Sequence, residues 1–264
     1  MKAKAALCGL VVSLCLVVTV QADLITFNEI DRLDKPPGAD GGRGIAFTDG
    51  RMFFGDSSTI YELDPDTGDV LNSFAPGVGF TIGLAGDDAS GLLYLAECCG
   101  NTLYKIDPDT ESIVGTLTVG TTNMQGLAIQ GDKLYAASND AYRVYEFDLA
   151  SGDTLRSFDI SAYVPGGFGN VQGVEVFWDT VFVNLDDAGT YLELHEFSLA
   201  DFSHIGVGYS GYRAAASGYD GQYFWLDEEN IGPDGLIKFQ PIPEPATAAL
   251  LLMGGLVCVL RRPR

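Results

Sequence analysis

Apolar and polar positions alternate along most of this chain, and the alternation comes in short bursts separated by turn residues. One burst reads Thr59-Ile60-Tyr61-Glu62-Leu63 and runs into Asp64-Pro65-Asp66-Thr67-Gly68-Asp69. It is echoed by Leu103-Tyr104-Lys105-Ile106-Asp107-Pro108-Asp109-Thr110 and by Val144-Tyr145-Glu146-Phe147-Asp148, with a weaker copy at Leu192–Ser198. Upstream of each lies a Gly-apolar-small turn into a strand, then an aromatic strand: Gly44-Ile45-Ala46 before Phe53, Gly83-Leu84-Ala85 before Tyr94, Gly126-Leu127-Ala128 before Tyr135, Gly173-Val174-Glu175 before Phe182, and Ala214-Ala215-Ala216 before Phe224. Period-two alternation bounded by turn signals predicts strands. In the third unit they fall at 124–129, 133–137, 143–147 and 154–158. The Asp-Pro-Asp-Thr-Gly-Asp stretch has hairpin-turn make-up, since Pro presets φ and Gly tolerates φ > 0.

The aromatic markers lie 41, 41, 47 and 42 residues apart. A period in the low forties built of four short strands is the signature of a β-propeller. The expectation is an all-β chain: a single β-propeller of five blades with four strands each, spanning residues 23–240. The fifth unit lacks an outer strand, and the segment Leu24–Ile30 supplies one, closing the ring by pairing with the last blade and removing two exposed sheet edges. Over most of the body these repeats resemble the NHL and YVTN type of bacterial propellers. That resemblance implies architecture and leaves activity open.

The two ends break the pattern. Residues 1–22 carry Lys2 and Lys4, an apolar stretch from Ala5 to Val20, and Val20-Gln21-Ala22 as a small-residue cleavage site, which predicts a secretory signal peptide. Residues 241–264 carry Pro243-Glu244-Pro245, a 15-residue apolar run over 246–260 and the cluster Arg261-Arg262-Pro263-Arg264. As a helix the run spans about 22 Å, short of the roughly 30 Å hydrocarbon core, and snorkelling arginines make up the difference. The arginines stay cytoplasmic by the positive-inside rule. This end resembles the PEP-CTERM sorting tail of Gram-negative bacteria. The resemblance implies a transmembrane helix at 246–260, an exosortase that reads Pro243, Glu244, Pro245, Arg261 and Arg262, transient anchoring in the inner membrane, and delivery to the cell surface or extracellular matrix. An uncut anchor helix is the plainer alternative.

Charge narrows the partners. Setting aside Lys2, Lys4 and the three tail arginines leaves 10 basic against 36 acidic residues, a net charge of −26. That sign disfavours nucleic acid and favours divalent cations, cationic ligands and solubility. Of five cysteines, only Cys98 and Cys99 lie in the body, so a disulfide framework is excluded and one vicinal bridge, or two reduced thiols, remains.

In propellers the loop into each innermost strand shares one face with the loop between the second and third strands. On that face stand Arg43, Gln125 and Gln172 before the Gly positions. The acidic or amide-bearing loops carry Asp56, Glu97, Asn139, Asp140, Asn184, Asp186, Asp187, Asp227 and Glu228. Arg43, Gln125, Gln172, Asp140, Asp187, Asp227 and Glu228 are the candidate ligand residues. A ring of carboxylate and amide oxygens suits a hard cation, so Ca²⁺ is the candidate ion, with Glu97, Asn139 and Asp187 as candidate ligands; no organic cofactor is expected. Tyr219, Tyr223 and Trp225 are candidates to stack on sugar faces, with core the favoured reading for most of them. His195 is read as a partly exposed strand residue. No nucleophile elbow, metalloprotease helix or phosphate loop is present in the sequence.

The reading this supports is an exported, non-enzymatic propeller used as a binding or structural module for extracellular polysaccharide or a surface protein. The alternative is a metal-dependent, lactonase-like hydrolase resembling the senescence-marker-protein group. A quinoprotein dehydrogenase is weaker still: Cys98-Cys99 and Asp64…Thr67-Gly68 resemble parts of that family, but Asn72 stands where its docking tryptophan belongs.

Overall fold

Each burst of alternation becomes a strand, and the strands assemble into five four-stranded antiparallel sheets. The computed structural model describes residues 24–39, 42–164, 170–187, 191–212, 214–228 and 235–243. Blade 1 holds β2 (Gly44–Thr48), β3 (Arg51–Gly55), β4 (Ile60–Leu63) and β5 (Val70–Phe74). Blade 2 holds β6 (Thr81–Asp87), β7 (Leu92–Glu97), β8 (Thr102–Asp107) and β9 (Ser112–Thr118). Blade 3 holds β10 (Met124–Gln130), β11 (Lys133–Ser138), β12 (Arg143–Asp148) and β13 (Thr154–Asp159). Blade 4 holds β14 (Asn170–Phe177), β15 (Thr180–Asp187), β16 (Tyr191–Ser198) and β17 (His204–Tyr212). Blade 5 combines β18 (Ala214–Tyr219), β19 (Phe224–Glu228) and β20 (Gly235–Pro243) with β1 (Ile25–Asp34), the first strand of the described chain. The innermost strands β2, β6, β10, β14 and β18 pack side by side in a closed ring.

The propeller expectation is therefore met, including closure by the N-terminal segment. That closing strand is longer than the sequence indicates, running to Asp34 and pairing from Ile25↔Pro243 to Asp34↔Gly235 with a bulge at Glu29/Asp31. Its partner β20 is longer too. It continues through Pro241 and Pro243, past the 240/241 boundary expected for the domain. Beyond Phe239 the strand pairs with β1 alone, since β19 ends its pairing at Phe224↔Phe239. A proline there deletes an N–H from an edge that has no second partner. The expected helix over 246–260 lies outside the described residues, as do Glu244, Pro245, Arg261 and Arg262; among the described residues no helix is long and apolar enough to cross a membrane.

Why the second strands read Met-Phe-Phe or Leu-Tyr-Leu-Ala rather than alternating strictly is explained by burial. Each sheet packs face to face between two neighbours, so both faces of its inner strands are buried. Five hydrophobic clusters result, one at each blade interface. Phe53 of blade 1 meets Leu84 and Leu95 of blade 2 in one of them, while its neighbour Phe54 joins Trp225 and Leu236 of blade 5 in another.

A five-bladed ring leaves little space at its axis. A Cβ on Gly44 would stand 2.5 Å from the Leu84 backbone nitrogen, and one on Gly126 would stand 2.5 Å from Gly173 Cα. Glycine is required there because adjacent inner strands touch backbone to backbone.

The turns between third and fourth strands behave as the sequence indicates. Asp64 Oδ1 accepts from the N–H groups of Asp66 (2.8 Å) and Thr67 (3.1 Å), Asp107 Oδ1 from Asp109 (2.9 Å), and Asp148 Oδ1 from Ser151 (2.8 Å). These hydrogen bonds hold Asp107 and Asp148 below the usual carboxylate range. The repeated aspartate is turn chemistry.

Candidate functional site

The upper face is the one where inner strands begin. Three of the sequence candidates meet there: Arg43, Gln125 and Gln172 line the throat of the channel with Gly44, Gly126, Gly173 and Ser217. The throat encloses only about 10 Å³, room for roughly one water. Arg43 stacks its guanidinium on Phe80 at 5.0 Å, Gln125 donates to Asn123 at 2.8 Å, and Gln172 reaches Asp186 at 3.4 Å.

Asp227, Glu228, Asp140, Glu97 and Asn139 are each engaged with protein groups. Asp227, fully buried, takes the Lys35 ammonium at 2.6 Å, and Glu228 takes Arg32. Both bases belong to β1 or the residue after it, so these two acids clasp the closing strand. Asp140 accepts from Asn123 Nδ2 at 2.7 Å and Thr122 at 3.2 Å. Glu97 accepts from the Tyr104 hydroxyl at 3.0 Å, which pushes that phenol up, and Asn139 Oδ1 accepts from the Val171 N–H at 3.1 Å. Asp187 ends β15 opposite Tyr191. Among the described residues no group of three or more His, Cys, Asp or Glu side chains is arranged to hold an ion. Cys98 and Cys99 are free thiols; the hydrogen bond with Cys99, then burial, pushes Cys98 up to about 11, and Cys99 sits exposed at φ 67°.

Trp225 takes the core reading, and the expectation for His195 needs correction. Trp225 is wholly buried between blades 5 and 1, with its indole N–H donating to Asp220 at 3.0 Å. It is core. His195 is buried as well, bonded to His204 (3.1 Å) and Glu193 (3.0 Å), and burial lowers its pKa. A hydrogen-bonded pair across β16 and β17 satisfies the imidazole there, which strand alternation alone does not reveal.

A wide cavity lies on the opposite, lower face, where inner strands end. It is a basin of about 560 Å³, within the range of small-molecule sites. All five blades contribute: Phe47, Asp66, Asp88, Gln130, Trp178 and Tyr223 are representative. Tyr219 stacks on Phe177 at 4.2 Å, and its hydroxyl donates to the Gly221 carbonyl at 2.9 Å. Lys238 rests over Tyr223 at 4.5 Å and Trp225 at 4.9 Å. The floor is Glu175, which also borders the lower channel with Ala46, Ala85 and Ala128. Sequence reasoning singles out Tyr219 and Tyr223 but misses Trp178 and Glu175. A signal is present, as Glu175 stands at a position where three other repeats carry alanine.

No known family model matches the chain, and no curated protein matches it. Among solved structures, the chain is similar to the glutaminyl cyclase of Myxococcus xanthus, with a TM-score of 0.65 and 14% identity over 83% of this chain and 98% of that one. It also aligns with the Kuenenia stuttgartiensis hydrazine synthase at a TM-score of 0.48 and 17% identity, covering 73% of this chain and 56% of that one. The first likeness extends over nearly the whole cyclase chain and shows the propeller fold.

Proposed function

We propose that this chain is an exported propeller that serves at the cell surface or in the extracellular matrix as a non-enzymatic binding module for polysaccharide. One observation carries the reading: Ile25 and Pro243 are cross-strand partners. The segments read as leader and sorting tail therefore leave from one corner of a closed ring, at the lower edge of blade 5. The basin opens on that same face. A propeller tethered or handed over through this corner turns its basin toward the surface polymer, while a ring of five sheets closed by β1 keeps the loops in fixed register. The exosortase-type enzyme is the processing partner of this reading, and the inner membrane its transient support.

The test is fractionation of a Gram-negative host making the full chain. Expected is a protease-accessible surface or extracellular protein that lacks the mass of residues 1–22, with Glu244→Ala retained at the inner membrane. Purified protein should then bind surface polysaccharide with no turnover. Native protein in the cytosol with both ends intact overturns the reading. An esterase or lactonase activity that dies with chelator and returns with Ca²⁺ would replace it by the hydrolase alternative.

A further inference from the structure

Blade 4 departs from the other blades at the lower basin in two places. The first is Glu175. Its register position, opposite Phe182, is filled by Ala46 opposite Phe53, Ala85 opposite Tyr94, Ala128 opposite Tyr135 and Gly218 opposite Trp225. Four small residues and one acid share this ring of positions. Glu175 is 7% exposed and its hydrogen bond is to the adjacent Val176 N–H at 3.0 Å. Among the described residues no cation faces it, and burial pushes the carboxyl up to about 8. A buried carboxyl without a counter-charge is costly.

The second is Trp178. The two-residue turn between inner and second strands uses Asp49-Gly50 in blade 1 and Gly131-Asp132 in blade 3, residue types that tolerate left-handed backbone. Blade 4 places Trp178 there at φ 54°, with its carbonyl held by the Gln130 side chain at 3.2 Å. A bulky residue in that region is strained. The indole is 43% exposed and borders the basin. A strained backbone thus holds a large aromatic surface at the cavity edge.

The lining also carries Asp66, Asp88 and Asp220, against Lys238, whose ammonium lies over Tyr223 and Trp225. A carboxyl floor, aromatic faces and an acidic rim are the chemistry that takes an organic cation. We propose that the basin binds an amine-bearing saccharide, with the sugar ring against Trp178 and its ammonium at Glu175. This rests on the polysaccharide-module reading and names the ligand class of its site. An ammonium there returns Glu175 to its ionised form, so binding below pH 8 releases a proton.

The experiment is calorimetric titration of the exported protein at pH 6 with a glucosamine trimer, its fully N-acetylated counterpart and spermidine, repeated in two buffers of different ionisation enthalpy. Expected is binding of the glucosamine trimer at least about tenfold tighter than the other two, with proton release. Glu175→Gln should lose the preference for the free amine. Trp178→Asn, an exposed change suited to the left-handed turn, should weaken both saccharides without lowering the melting temperature. Equal binding of the two trimers, or of spermidine, overturns the amine-sugar assignment while the polysaccharide module stands. Binding of no saccharide between pH 5 and 8 removes both.

Discussion

The backbone N–H of Ile25 donates to both carboxyl oxygens of Glu196, at 3.2 and 3.0 Å, across 171 positions of sequence. Ile25 begins the closing strand of blade 5, and Glu196 lies on the third strand of blade 4. The contact pins the first residue of the ring's seam to its neighbour. Glu196 is fully buried and its carboxyl is pushed up to about 7 by burial. Glu196→Ala leaves a buried N–H unpaired and should cost about 1–3 kcal/mol, a fall of roughly 2–4 °C per kcal/mol in melting temperature for a chain of this size. Removing residues 23–30 should abolish cooperative unfolding altogether. A truncated protein that melts like the parent would show that the ring does not need this strand.

Lys35 and Asp227 make a second clasp on the seam, at 2.6 Å with both side chains largely out of water. Removing one partner of a buried pair leaves an uncompensated charge. Lys35→Met should therefore destabilise by about 3–5 kcal/mol, whereas Lys35→Met with Asp227→Asn should recover most of the loss. Urea midpoints for the two variants decide it. Equal midpoints for single and double variants would mean that Asp227 is held by other groups.

Gly126 tests the tightness of the axis. Its Cβ would meet Gly173 Cα at 2.5 Å, a backbone contact that no rotamer change relieves. Gly126→Ala should cost more than about 3 kcal/mol. Gly131→Ala has nothing within 4 Å and only a φ of 62° against it, so about 1 kcal/mol is expected. Thermal melts of the pair give the comparison, and similar losses would contradict a backbone-packed ring.

The five blades are readable because a propeller writes its architecture locally: each blade repeats the same turns, and strands of the third unit fall within one residue of prediction at every end. Blade 5 is the exception, one residue out of step with its pattern. The aromatic period marks Phe224, yet Phe224 pairs with Tyr219, and Trp225 stands where Tyr94 does, opposite Gly218. The rim acids fall on the expected face, but their partners are not visible in the pattern. Asp227 and Glu228 answer to Lys35 and Arg32 nearly two hundred residues earlier, and a single sequence carries no record of such pairings. Trp178 escapes the sequence for a different reason, since its significance lies in a backbone angle and in exposure.

Glu175 and Glu196 make stability fall as pH rises. Both have folded values above the ordinary carboxylate value of 4.5, about 8 and about 7, and burial is the first cause in each. The folded state therefore holds these protons more tightly than the unfolded chain. Stability is fully present below about pH 4.5 for these groups, declines as pH rises, and levels off above pH 8. A tenfold difference in proton affinity between folded and unfolded chains corresponds to about 1.4 kcal/mol, so the two carboxyls account for several kcal/mol between pH 5 and pH 8. Glu62, held low by Arg51, acts in the opposite sense below this window, and His195 and His204, both lowered by burial, oppose the trend at its acid end. Urea midpoints measured at pH 5 and pH 8 should fall with rising pH, and Glu175→Gln should flatten the slope by roughly half or more, because its carboxyl is raised further than that of Glu196. A Glu175→Gln variant whose slope matches that of the parent would mean that Glu175 is ionised in the fold, and that a counter-charge sits on the basin floor.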